Sequence, residues 1–152
     1  MILFVGENFS ISGLKKHISS SEFSFITDLM NVKDLKKKII SFDFSSKKKI
    51  ILVSLKKNIT NVDAENLGAK FYDIFKDLKK NQYCLHSETI PSNFKNIIGH
   101  FLHGIKLKSY TFEKYKSKKN KNNIFITVIG KNIPSAKDQI KFKAIEDGTF
   151  YT

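Results

Sequence analysis

A chain of 152 residues with 41% apolar side chains is long enough for one hydrophobic core, too short for two, and too apolar to stay disordered. The single cysteine, Cys84, excludes an internal disulfide and fits a reducing compartment, and no apolar window approaches the roughly 18 residues of a membrane helix. Residues 1–6 are apolar too briefly for a signal-peptide core, so the expectation is a cytoplasmic protein with no membrane partner.

The formal charge of +13 arises from 27 basic residues against 14 acidic ones, and every basic residue is a lysine. Arginine, whose planar fork reads guanine and grips phosphate with two hydrogen bonds, is missing. Lysine is accompanied by abundant Asn, Ile and Phe, the pattern of an AT-rich coding sequence, so the charge reads first as a solvated surface. Weak, salt-sensitive binding of nucleic acid stays open as a second reading.

In chain order, residues 2–5 and 23–27 are short apolar runs that suggest strands. Residues 38–44 alternate in part, and Ser45-Ser46-Lys47-Lys48 can turn them back as a hairpin onto 50–55. That second run is nearly continuous, as expected of a strand buried on both faces. Ala64, Leu67, Phe71, Ile74, Phe75 and Leu78 recur at gaps of three and four and predict a helix, with Thr60 and Asp63 spaced as a capping box. Tyr83 to His86 is a weaker strand. Phe94, Ile97, Ile98, Phe101, Leu102 and Ile105 form the apolar stripe of a second helix starting near Ser92, behind Pro91. Lys114 to Asn123 reads as an exposed loop. Residues 124–129 form a further strand, again expected to be buried on both faces and ended by Gly130. A third helix opens at Ser135, with Asp138 placed to cap it and Ile140, Ala144, Ile145 and Gly148 on one face. Such alternation predicts an α/β domain, a mixed and mostly parallel sheet flanked by helices on both faces.

Reactive chemistry is not advertised. The glycines stand singly, with no dinucleotide fingerprint and no phosphate loop. His100 and His103 lie three apart on the second helix but lack the further ligands of a zinc site. Cys84 and His86 share one face of a strand, and Cys84 reads as a small core residue. Glu65, Asp73 and Asp77 belong to a solvated helix face paired with lysines. No catalytic, cofactor-binding or metal-ligating residue is assigned to this chain.

Residues 101–119 carry a resemblance. Gly104, Leu107, Ser109, Tyr110, Phe112, Tyr115 and Lys116 resemble the signature near the end of the amino-terminal domain of the leucyl aminopeptidase (cytosol aminopeptidase) family. In this reading a helix ends near Gly104, the aromatics anchor the next segment, and a lysine-rich loop follows. The strand at 50–55 with the capped helix bearing Gly68 is similar to the same family, as is 144–152, which resembles its interdomain helix just ahead of an Arg-Asp-Leu sequence. The resemblance implies a macro-domain-like, non-catalytic amino-terminal domain. It would belong to a hydrolase that uses two divalent metals, zinc or manganese, to release amino-terminal residues such as leucine from peptides. The lysine and carboxylates that ligate those metals belong to a carboxyl-terminal catalytic domain that matches no position here. The implied partners are that catalytic domain and the other subunits of a homohexamer, where the amino-terminal domain restricts access to the active sites. The alternative is a free-standing macro-like domain that binds a nucleotide of the ADP-ribose kind, or nucleic acid.

Overall fold

A computed structural model describes residues 1–31, 37–78, 82–90, 94, 96–115 and 124–130, with the backbone alone for Asn8 and for 110–115. Five strands form one sheet: β1 (Ile2–Val5), β2 (Ile39–Asp43), β3 (Lys49–Ser54), β4 (Gln82–His86) and β5 (Phe125–Ile129). Among the described residues three α-helices accompany them: α1 (Ser20–Met30), α2 (Asn61–Phe75) and α3 (Ile97–Tyr115). The strand order is β2-β3-β1-β4-β5, parallel throughout except for the β2–β3 hairpin. The fold is therefore α/β with a mixed, mostly parallel sheet.

Alternation along the strands builds two cores. Ile2 and Phe4 of β1, Ile51 and Val53 of β3, and Tyr83 and Leu85 of β4 meet α2 and α3 through Leu67, Phe71, Phe75, Ile98 and Phe101. Leu3, Val5, Ile40, Phe42, Ile50 and Leu52 point the other way and meet Phe9, Leu14 and Ile26, the last of these on α1. β1 and β3 thus bury both sets of side chains, which is why each reads as an unbroken apolar run.

The hairpin forms as expected, with Ile40 opposite Leu52 and Phe42 opposite Ile50. Ser45 closes its turn, its hydroxyl accepting from the Lys48 N–H at 3.1 Å. The capping box of α2 also forms: the Asp63 N–H donates to the Thr60 hydroxyl and the Thr60 N–H to the Asp63 carboxylate, each at 3.1 Å. Hydrogen bonds from the Thr60 backbone N–H, and then from the Thr60 hydroxyl, hold the Asp63 carboxyl below its usual range, because they favour the charged form.

Several expectations need correction. Residues 23–27 are not a strand but the middle of α1, where Ser19 caps the helix and Glu22 sits three residues on. The apolar run there has helical rather than alternating use, with Ile26 buried in the second core. The stripe of α2 stops at Phe75, leaving Ile74 and Leu78 exposed while Tyr72 is buried in their place. β5 is an edge strand among the described residues, covered on one face only, with Phe125 57% and Ile129 45% exposed. Cys84 pairs in register with Thr127 on that same open face, so it is exposed and not a core residue. Gly130 does end β5, at a φ of +110° that side chains rarely adopt, and against the Ser87 hydroxyl, which donates to the Ile129 carbonyl at 2.8 Å. Lys114 and Tyr115 belong to α3 and not to the expected loop; the rest of that loop, at 116–123, the expected start of the second helix at 91–93 and the third helix from Ser135 lie outside the described residues.

Candidate functional site

Two of the residues that carry the resemblance, Gly68 and Gly104, meet the neighbouring backbone at the contact between α2 and α3. Both helices connect parallel strands, so they run alongside each other. Their backbones approach so closely that a Cβ on Gly104 would collide with the Glu65 carbonyl oxygen and lie 2.7 Å from its carbon. A Cβ on Gly68 would likewise strike the Phe101 carbonyl oxygen and lie 3.0 Å from the Ile105 nitrogen. Each helix thus supplies one glycine to the other's backbone. Gly104 does not end its helix: α3 runs on through Leu107 and Ser109 to Tyr115, and the Ser109 hydroxyl donates back to the Lys106 carbonyl at 2.8 Å. Sequence reasoning placed the helix end there because glycine commonly follows a final turn; close helix packing is the competing use of the same residue. Tyr110, Phe112 and Tyr115 are helical in backbone, so the expected anchoring segment does not begin at Tyr110, and Lys116 lies outside the described residues.

Polar pairs border this contact. His100 Nδ1 and Glu65 Oε1 are 2.9 Å apart across the two helices. Asp73 faces Lys76 and Lys108, each at 3.7 Å. Glu65 is therefore an interhelical partner of a histidine, where a lysine was expected; Asp73 keeps its lysines. His103, the other histidine of the pair, is buried at 4% exposure, whereas His100 is turned toward α2. Among the described residues no group of three His, Cys, Asp or Glu side chains is placed to hold a metal ion. No helix among them is long and apolar enough to cross a membrane.

A second feature lies at the carboxyl edge of the sheet and was not foreseen from the sequence. From β1 the chain moves through α1 to β2 and β3 on one side; from β4 it moves through α3 to β5 on the other. Adjacent strands whose connections diverge leave a crevice beyond their carboxyl ends. Here the crevice has a volume of about 340 Å³. Its floor is Phe4, Val5, Leu14 and Ile90, and its rim carries Ser10, Ser12, Lys16, His17 and Glu88. Thr89 ties the rim to the sheet: its hydroxyl accepts from the Phe4 N–H at 3.0 Å and donates to the His86 carbonyl at 2.6 Å. Phe9, in the loop after β1, takes a φ of +55°, an uncommon conformation for a side-chain-bearing residue. The only signal in the sequence was two glycines, Gly6 and Gly13, bracketing a serine-containing loop behind the first strand, a weak pattern.

His86 sits beside this region on β4. Its imidazole is held below the usual histidine range, first by burial and then by the positive charges of the amino terminus, His17 and Lys48, with Glu22 opposing. A histidine that accepts a proton less readily when folded than when unfolded contributes stability that is complete above the unfolded value and lost as pH falls toward the folded one. His86→Gln is therefore expected to flatten the fall in urea midpoint between about pH 7 and pH 5. An unchanged slope would remove His86 as its source.

No protein-family model matches this chain, and no curated protein matches it.

Proposed function

We propose that this chain is the non-catalytic amino-terminal domain of a leucyl-aminopeptidase-like metallopeptidase, contributing to hexamer assembly and to restricted access to active sites borne elsewhere. The observation that carries this reading is the paired use of Gly68 and Gly104. Both belong to the segments that resemble the family, and both occupy positions where any side chain would collide with the neighbouring helix backbone. A residue required by backbone contact is the kind a family pattern retains, and these two of the resembling residues stand at such positions. The mixed five-stranded sheet is compatible with the macro-like fold that the resemblance implies.

In this reading the two-metal hydrolysis of peptides belongs to a carboxyl-terminal domain, and the present chain supplies a scaffold. Purified alone and given leucine p-nitroanilide with manganese, the chain is expected to release no nitroaniline above buffer. Metal-dependent turnover by this chain would sink the assignment of roles. The gene supplies an independent check: codons after Thr152 should read Arg-Asp-Leu and lead into a domain with lysine and carboxylate metal ligands.

A further inference from the structure

We infer that the crevice at the carboxyl ends of β1 and β4 is a binding site for a small phosphorylated sugar. The inference stands on the crevice alone and does not require the peptidase reading. Its position is the one where open α/β sheets collect ligands, because strand ends and loop amides converge there and the diverging connections leave space. Its volume, about 340 Å³, lies at the lower end of the range of small-molecule pockets. That is room for a pentose phosphate and not for an extended peptide.

The lining sorts by chemistry into two walls over an apolar floor. On the β1 side, Lys16 and His17 bring cationic or proton-donating groups, and Ser10 and Ser12 bring hydroxyls, a set that suits the oxygens of a phosphate. On the opposite side the exposed carboxylate of Glu88 can only accept hydrogen bonds when ionised, which suits the hydroxyls of a sugar and repels a second phosphate. Buried Leu14 and Ile90 lie beneath, matching the C–H face of a sugar ring. The wider edge reinforces the polarity. Lys38 and Lys56 lie just beyond the ends of β2 and β3 at the same edge of the sheet, a field that draws anions toward it. A Cβ on Gly13 would meet nothing within 4 Å, so the mouth is open at that point.

The test is titration of the isotope-labelled chain with ribose 5-phosphate and with inorganic phosphate, followed by amide chemical shifts. Shifts centred on residues 6–17 and 87–90, saturating at millimolar concentration or below, are expected for the sugar phosphate. Lys16→Glu should weaken both probes at least about tenfold, the scale of one lost charge-assisted hydrogen bond. Glu88→Gln should weaken ribose 5-phosphate and leave inorganic phosphate bound as well or more tightly, since the carboxylate that repels phosphate is gone. Both substitutions are at exposed positions, and circular dichroism verifies that each variant is folded. Absence of shifts at about 10 mM probe, roughly ten-thousandfold above 1 μM, overturns the site. So do shifts centred on Lys38 and Lys56, or a Lys16→Glu variant that binds normally. Equal effects of Glu88→Gln on the two probes overturn the sugar assignment and leave a simple anion site.

Discussion

Phe101→Ala is expected to destabilise the domain by about 3–5 kcal/mol, a large share of the roughly 5–15 kcal/mol that holds an ordinary domain together. Phe101 is fully buried and lies at the junction of three elements. Its ring meets Phe4 of β1 edge-on at 5.3 Å and Phe71 of α2 at 5.7 Å. Phe71 in turn contacts Tyr83 of β4 at 5.5 Å and Phe75 at 4.6 Å. Truncation would remove one ring from a continuous aromatic array and open a cavity between α3 and the sheet, which close-packed neighbours fill only in part. Urea denaturation should show the midpoint falling by roughly 1–3 M at an unchanged slope. Phe101→Leu, which keeps most of the volume, should cost less than half as much. A loss under about 1 kcal/mol for the alanine variant would mean that this array does not tie α3 to the sheet.

Gly104→Ala tests the helix pair through the sign of its effect. In an exposed helix interior, alanine in place of glycine stabilises by about 1 kcal/mol. At Gly104 the new methyl group would collide with Glu65 backbone atoms, so the helices must separate, and overpacking of this kind costs about 1–3 kcal/mol. The net expectation is destabilisation, steeper for Gly104→Val, with loss of the 2.9 Å His100–Glu65 contact as α2 moves away. Gly13→Ala provides the contrast, since nothing lies within 4 Å of its added Cβ; it should change stability by less than about 0.5 kcal/mol. Should Gly104→Ala raise the midpoint, backbone contact is not the reason for glycine there, and the support it lends to the proposed family role goes with it.

Much of the fold was legible because local rules and tertiary needs agreed. The Thr60–Asp63 box started α2 where the spacing said it would, and the serine-lysine turn returned β2 onto β3. Legibility failed where two uses of a residue type compete. The apolar run at 23–27 resembled a strand because phenylalanine and isoleucine suit sheets, yet the Ser19–Glu22 cap committed the segment to α1. Gly104 resembled a helix end, and only the position of Glu65 on the neighbouring helix reveals it as a packing contact. Cys84 and β5 resembled core because sequence shows that a residue is apolar without showing whether a second layer reaches it; here α1 packs over β1, β2 and β3.

By itself, the amino-acid sequence determined the α/β class, the hairpin, the capped helix and the apolar stripes of α2 and α3, because periodicity and caps are interactions among residues a few positions apart. Only the tertiary structure decided which glycines touch a neighbouring backbone, which strand stands at the edge, and that the loop after β1 faces the turn after β4 across a crevice. Those outcomes depend on strand order, and strand order is set by contacts between residues as distant as Phe4 and Thr89, whose proximity no local pattern encodes.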